Sequence, residues 1–129
     1  PWGNEQLTSK LGDFRKTFTP DDVYDKGLAP VDSHEAGNSP YGLHHMAGNV
    51  AEWVQDWFGP DYYAYMPDRN PPGPTSGRYK SVRGGSWKSH QVMLRTATRG
   101  GSAPDQRLAT IGFRCAKSSA PHDRPFSPK

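Results

Sequence analysis

Residues 41–58 read YGLHHMAGNVAEWVQDWF, and this stretch is the most informative part of the sequence for the fold. Its second half carries large apolar side chains at the spacing of a helical stripe, namely Val50, Trp53, Val54 and Trp57. The two-residue alternation expected of a strand fits this region poorly. The periodicity therefore favours a short helix over a strand, with Trp53 and Trp57 as core aromatics.

The same stretch contains His44 and His45, which raises the question of a metal site. The other candidate histidines are His34, His90 and His122. Adjacent side chains point in different directions on a helix or a strand, so neighbouring histidines rarely bind one ion together. The spacing thus favours a structural role for the histidines, with a transition-metal site on a loop as the alternative.

Composition indicates one folded, loop-rich domain. Leu, Ile, Val and Phe account for only 18 of 129 residues, but four Trp and six Tyr supply large side chains that a core can bury. With 14 Gly and 13 Pro the chain turns often, and short strands fit better than long helices. Residues 59–77 are expected to form a long loop, and LAPVD (28–32) a short strand or an extended edge.

Charge and cysteine content narrow the possible partners. The net charge is only +3, and basic residues are interspersed with acidic ones, so no nucleic acid is expected. The single cysteine, Cys115, excludes an internal disulfide and a cysteine-based zinc site. No apolar run approaches the roughly 20 residues of a membrane span and no signal peptide is present, so no direct membrane span is expected. The first residue is Pro1 rather than Met, which indicates a processed, shortened or artificial start.

The last third of the sequence predicts three short strands in an antiparallel meander. The three segments are YKSVRGGSW (79–87), LRTATR (94–99) and IGFRCAK (111–117). In the last segment, Ile111, Phe113 and Cys115 alternate with Arg114 and are expected to point inward.

Five landmarks follow one another in the sequence: PWGNE (1–5), APVDS (29–33), YGLHHMAGNVAEWVQDW (41–57), NPPGPTSGRYKSVRGGSW (70–87), and LRTATRG followed by IGFRCA (94–100 and 111–116). This ordered set resembles the formylglycine-generating-enzyme family, also called the sulfatase-modifying factor family. The resemblance implies an α+β, irregular and loop-rich C-type-lectin-like fold with short antiparallel strands. Composition, read separately, agrees with that expectation.

The resemblance also implies a domain organisation. In the family the Pro-Trp-Gly-Asn stretch lies in the middle of the domain, whereas here it opens the sequence. Residues 1–117 are therefore expected to be the C-terminal half of a formylglycine-generating-enzyme-like domain, and residues 118–129 an extended tail. The expected partner is a polypeptide that supplies the N-terminal half, or a larger complex. Family habit favours a periplasmic or extracellular location.

The chemistry implied by the resemblance depends on two cysteines that bind copper(I) and oxidise a substrate cysteine with oxygen. In GGSWKSH (84–90) Ser89 stands at the first cysteine position, and QVMLRTATR (91–99) contains no second cysteine. A hydroxyl cannot replace the soft thiolate that selects copper(I). No copper and no formylglycine synthesis are therefore expected, and Cys115 is interpreted as a small buried strand residue.

Calcium is the cofactor that the resemblance does imply. Gly48, Val50 and Glu52 match a family calcium site, with His45 where Asn or Asp would be expected. Calcium prefers oxygen ligands, so His45 weakens the match. The alternative interpretation of Glu52 is a salt bridge to an arginine of the sheet, such as Arg114.

Two classes of function remain after these exclusions. The first is a non-catalytic binding or scaffold module, whose polar groove would include Trp87, Ser89, His90, Arg95 and Arg99. Trp and Arg often anchor a partner, although Arg95 and Arg99 could instead satisfy buried carbonyls or acids. The second is a family oxidoreductase without the cysteine pair, with active residues partly on a missing N-terminal half or a partner polypeptide.

Overall fold

The structure is a computed structural model that describes residue 6, residues 8–14 and residues 27–117. The PWGNE landmark, His122 and the expected tail at 118–129 lie outside these described residues.

Four short strands form one mixed sheet. They are β1 (Ala51–Trp57), β2 (Lys80–Arg83), β3 (Gly100–Ser102) and β4 (Ile111–Gly112). Their order across the sheet is β3-β2-β1-β4. β2 runs antiparallel to both β1 and β3, whereas β4 pairs parallel with β1. The antiparallel meander is therefore wrong at its last strand, because a parallel neighbour requires a long connection rather than a hairpin.

The helix favoured for the most informative stretch is also wrong, since Ala51–Trp57 is a strand inside the sheet. Trp53 lies opposite Val82 and Trp57 opposite Lys80, so β1 advances four residues while β2 advances two. A bulge of this kind interrupts the two-residue alternation. Trp53 and Trp57, two members of the apparent helical stripe, lie on either side of this irregularity. Both tryptophans are half-buried rather than fully enclosed.

The predicted strand at LRTATR (94–99) is not present. Gln91–Leu94 forms a 3-10 helix instead, and the strand follows at Gly100–Ser102. A Cβ atom added to Gly101 would lie 2.6 Å from Cδ1 of Phe58. Because glycine is needed beside this ring, the strand lacks the β-branched residues that identify strands in a sequence.

Two other predictions hold in part. The 79–87 segment contains β2, after which Gly84 and Gly85 turn the backbone with positive φ angles of 87° and 66°. Residues 59–77 form a loop, as expected, that includes one short 3-10 helix.

LAPVD (28–32) forms no strand and ends in a turn.

The 111–117 segment is regular only at its start, where Ile111–Gly112 forms β4. Phe113 was expected to point inward but is 77% exposed, and Cys115 is exposed as well. β4 is only two residues long and lies at the edge of the sheet, so Phe113 and Cys115 follow the strand instead of belonging to it. Cys115 is thus not the buried strand residue that the sequence suggested.

The helices among the described residues are three short 3-10 helices, at Glu35–Gly37, Tyr62–Ala64 and Gln91–Leu94. None of them has the length and apolar character needed to cross a membrane.

The core is small. The buried apolar side chains among the described residues are Leu11, Phe14, Ala47, Tyr62 and Leu94. Phe14, Ala47 and Leu94 form one cluster. Large apolar side chains elsewhere are exposed, with Val31 at 81% and Tyr41 at 74%.

Candidate functional site

The start of β1 and the segment after β4 meet at an ion pair. Arg114 donates through Nε to Oε2 of Glu52 at 2.6 Å and through Nη2 to Oε1 at 2.5 Å. Nη2 also donates to the carbonyl oxygens of His44 at 2.9 Å and His45 at 3.4 Å. The hydrogen bond to Glu52 raises the pKa of Arg114 above its ordinary value, although partial burial opposes the shift. The alternative interpretation of Glu52, a salt bridge to Arg114, is therefore confirmed.

The backbone of this loop is held in an unusual shape. His45, Gly48 and Asn49 all have positive φ angles, of 52°, 86° and 60°. The Gly48 amide donates to the carbonyl of Gly84 at 2.9 Å, and the Asn49 amide donates to the carbonyl of Asp13 at 2.9 Å. Non-glycine residues adopt this conformation rarely, so the surrounding contacts must stabilise it.

The buried Asn49 fixes a second segment to the loop through its side-chain amide. Its Oδ1 accepts from the Ala29 amide at 3.0 Å and its Nδ2 donates to the Ala29 carbonyl at 3.3 Å. The APVDS landmark is thereby joined to the stretch before β1 by a side chain that imitates a backbone pairing.

The expected calcium ligands were His45, Gly48, Val50 and Glu52. Both Glu52 oxygens accept from Arg114, while His45 Nε2 lies 2.9 Å from the carbonyl oxygen of Pro30. Within the described ranges no three or more histidine, cysteine or acidic side chains are grouped as a metal site. A calcium ion beside Glu52 would face the positive charge of Arg114, so the residues as arranged do not fit the ion. Calcium binding stays a prediction.

The predicted groove residues lie in the segment that follows β2. Trp87 donates its amide to the carbonyl of Asn49 at 2.8 Å. Ser89 accepts at Oγ from the Ser86 amide at 2.9 Å, and its own amide donates to the Ser86 carbonyl at 2.8 Å. His90 lies next to the Gln91–Leu94 helix and accepts at its carbonyl from the Met93 amide, whereas Arg95 is exposed.

The structure places Ser89 and Arg99 in two different cavities. Ser89 lines the smaller one, of about 130 Å³, and Arg99 lines the larger one, of about 260 Å³. Arg83 lines both, while Trp87, His90 and Arg95 line neither.

The larger cavity, here called the tyrosine cavity, is organised around Tyr63. The Arg99 guanidinium lies 3.8 Å from the centre of the Tyr63 ring and donates to the carbonyl of Gly59 at 3.1 Å. Arg83 donates to the Tyr63 hydroxyl at 3.1 Å and also to the carbonyl of Thr96. Arg99 therefore satisfies a backbone carbonyl, as the alternative interpretation of this residue held, and it also forms a cavity wall.

Other walls of the tyrosine cavity were missed from the sequence. The buried Tyr62 accepts at its hydroxyl from the Gly73 amide at 3.0 Å, which fixes the 59–77 loop over the sheet. Asp56 comes from β1, and Ser81 and Arg83 come from β2. The only signal in the sequence that could have indicated this cavity is the pair of adjacent tyrosines in a loop rich in glycine and proline.

The two positions at which the resemblance places copper-binding cysteines carry no thiol. The hydroxyl of Ser89 belongs to the tight turn with Ser86. The resemblance implies the second cysteine about five residues further on, where Leu94 is 4% exposed and packs in the core cluster. The one cysteine in the sequence, Cys115, is exposed at the end of the described segment after β4.

Comparison with known proteins defines the class of protein. Residues 1–119 match the model of the sulfatase-modifying factor enzyme 1-like domain. The chain belongs to this family, as the five landmarks indicated.

Individual relatives carry different names. The formylglycine-generating enzyme of Streptomyces coelicolor is 37% identical over 122 residues, which is 92% of this chain and 38% of that protein. The serine/threonine-protein kinase pkn1 of Chlamydia caviae is 45% identical over 96 residues, 73% of this chain and 15% of the kinase. The hercynine oxygenase of Mycolicibacterium smegmatis is 34% identical over 126 residues, 90% of this chain and 27% of the oxygenase. The chain thus spans well under half the length of these relatives.

Solved structures support the fold. PvdO from Pseudomonas aeruginosa superposes with a TM-score of 0.63 at 28% identity, covering 86% of this chain and 40% of PvdO. Treponema denticola variable protein 1 superposes with a TM-score of 0.56 at 25% identity, covering 81% of this chain and 35% of that one. The fold is the irregular, loop-rich, C-type-lectin-like fold of the sulfatase-modifying factor family, with short strands in a mixed sheet.

Proposed function

We propose that this protein is a non-catalytic binding module that contributes to a larger protein assembly. The observation that supports this most directly is the chemistry at Ser89 and Leu94, where the resemblance places the copper-binding cysteines. Ser89 offers a hydroxyl that is already hydrogen-bonded, and Leu94 is a buried hydrocarbon. Neither residue supplies the thiolate that holds copper(I).

The exposed apolar surface supports a polypeptide partner. Leu28 is 62% exposed, Val31 81% and Tyr41 74%, and all three lie in the segment that leads into β1. Large apolar side chains exposed in one segment are in keeping with a surface that another polypeptide covers. The partner proposed is the N-terminal half of a family domain, on the same or a separate polypeptide. The match to only 15% of the Chlamydia caviae kinase is also in keeping with a module carried by a larger protein.

The proposal is tested by copper(I) binding. The purified protein, titrated with copper(I) against a chelator under anaerobic conditions, is expected not to compete. The S89C/L94C double variant supplies two thiolates at these positions and is expected to gain copper(I) binding, provided that circular dichroism shows it folded. Ser89→Cys alone serves as the single-thiol control.

A direct assay completes the test. A cysteine-containing peptide incubated with the protein, copper and oxygen is expected to be recovered unchanged by mass spectrometry. Conversion of the peptide cysteine to an aldehyde by the unaltered protein would overturn the non-catalytic role.

The second candidate is a family oxidoreductase that lacks the cysteine pair and takes part of its active site from elsewhere. Its specific support is the 34% identity to a protein named hercynine oxygenase. Metal analysis of the assembly purified from its natural source separates the two. Iron or copper in a one-to-one ratio would support the oxidoreductase, and neither metal would support the module.

A further inference from the structure

The tyrosine cavity has the size and walls of a site for one small organic group. Its volume of about 260 Å³ lies just below the range of roughly 300–1,000 Å³ found for drug-sized ligands. Trp57, Tyr62, Tyr63 and Met66 supply aromatic and thioether surface. Tyr62 is held by its hydrogen bond to Gly73, and Tyr63 is held between two arginines. The apolar walls are therefore preorganised.

Positive charge lines the cavity without a counter-ion. Arg83 donates to a hydroxyl and a carbonyl, and Arg99 donates to a carbonyl, so both guanidinium groups face neutral acceptors. A guanidinium carries five N–H donors, and Arg99 uses one of them in the described contacts. Donors of this kind are suited to a carboxylate.

Negative charge lines the same cavity and is equally unpaired. Asp56 is exposed, and its carboxylate forms no hydrogen bond or ion pair with any other described residue. Its carboxylate is thus held apart from both arginines although all three side chains line one cavity. The carboxylate and the two guanidinium groups do not pair with each other. They are therefore suited to a ligand that carries one positive and one negative group.

The wall also contains an unsatisfied hydroxyl. Ser81 is 1% exposed, and its Oγ has no hydrogen-bond partner among the described residues. Buried polar groups are nearly always hydrogen-bonded, so an exception lining a cavity is in keeping with a missing polar ligand.

We propose that the tyrosine cavity binds a free α-amino acid with an aromatic side chain. The ligand carboxylate pairs with Arg99 and Arg83, its ammonium group pairs with Asp56, and its ring packs against Tyr62 and Trp57. This inference deepens the proposed binding role and rests on it.

Titration of the protein in its natural assembly with L-phenylalanine, N-acetyl-L-phenylalanine and L-phenylalaninamide tests the inference by calorimetry. The acetyl compound lacks the ammonium group and resembles the carboxyl end of a polypeptide, whereas the amide lacks the carboxylate and resembles an amino end. L-Phenylalanine is expected to bind most tightly, and each analogue about tenfold more weakly, because a charge-assisted hydrogen bond is lost. Equal or tighter binding of either analogue would overturn the proposal, and would indicate a polypeptide terminus as the ligand.

Two charge variants identify the ends of the ligand. Asp56→Asn is expected to weaken L-phenylalanine about tenfold and to leave the N-acetyl compound unchanged. Arg99→Gln is expected to weaken L-phenylalanine and the N-acetyl compound and to leave the amide unchanged. Asp68→Asn and Arg107→Gln are matched controls, since both residues are exposed and outside the cavity.

The outcomes are decisive even if Arg99→Gln fails to fold. The Asp56 carboxylate has no described hydrogen bond, so Asp56→Asn should keep the thermal midpoint of the natural assembly, and its binding data stand alone. No saturable binding of L-phenylalanine, or unchanged affinity in Asp56→Asn, would overturn the proposal. Neither result would affect the copper(I) experiment. The proposed non-catalytic role and the proposed ligand can therefore be disproved independently.

Discussion

Arg114 carries a positive charge that contacts oxygen atoms of both β1 and the loop before it. One guanidinium group meets the carboxylate of Glu52 and the carbonyls of His44 and His45. Because the pKa of Arg114 is raised, the stability that its titration contributes is complete below the ordinary arginine pKa and is lost only above the raised one. Titration of Arg114 therefore introduces no pH dependence near neutrality.

Arg114 occupies both oxygens of the Glu52 carboxylate, so it opposes calcium binding at this loop. Removing the guanidinium charge in Arg114→Gln is expected to strengthen calcium binding at least about tenfold, because a nearby like charge is lost. Calorimetry with calcium at fixed ionic strength measures the effect, with magnesium as the ion control. Glu52→Gln should abolish binding in both backgrounds. Equal calcium affinity in Arg114→Gln and in the unaltered protein would contradict this opposition.

At the scale of elements, the landmarks in the sequence identified the family correctly, but periodicity misplaced several strands. The bulge in β1 and the glycines of β3 are set by pairing with other strands, which periodicity in one segment does not report. The Glu52–Arg114 pair could be predicted from the sequence, because the two residues have opposite charges and each lies in a recognisable landmark. The tyrosine cavity was not, because Asp56, Ser81 and Arg99 come together only once the sheet has formed.

The loop before β1 depends on glycine for a reason that can be measured. A Cβ atom added to Gly48 would lie 2.4 Å from the carbonyl oxygen of Asp13, and the residue has a φ angle of 86°. Gly42 has a φ angle of 76°, but an added Cβ would meet no atom within 4 Å. Gly42→Ala thus isolates the backbone cost.

Gly42→Ala is expected to lower the free energy of unfolding by about 1 kcal/mol, and Gly48→Ala by about 3 kcal/mol or more, because the clash adds to the strain. Urea unfolding, carried out on the protein in its natural assembly, measures both. Equal losses in the two variants would show that the contact with Asp13 does not constrain the loop.

At the scale of the molecule, the core is small because many of the large apolar side chains are exposed rather than buried. Five apolar side chains are buried among the described residues, while Val31, Tyr41 and Phe113 each expose more than 70% of their surface. A core of this size offsets little of the conformational entropy that folding removes. We infer that other polypeptide covers part of this surface.

The isolated 129-residue polypeptide is accordingly expected to unfold with a broad thermal transition and to bind a dye that reports exposed apolar surface. Adding a polypeptide with the N-terminal half of a family domain should sharpen the transition and release the dye. Calorimetry and dye fluorescence measure these changes, with an unrelated polypeptide of equal size as the control. A cooperative transition of the isolated polypeptide at an ordinary midpoint would contradict the need for a partner.

The parallel pairing of β4 with β1 also has a consequence during synthesis of the protein. Ala51 pairs with Ile111, so one edge of β1 has no neighbour until about sixty further residues have been made. At roughly 5–20 residues per second that interval is about 3–12 s. An open strand edge recruits other polypeptides, so nascent copies of this protein should depend on ribosome-associated chaperones over that interval.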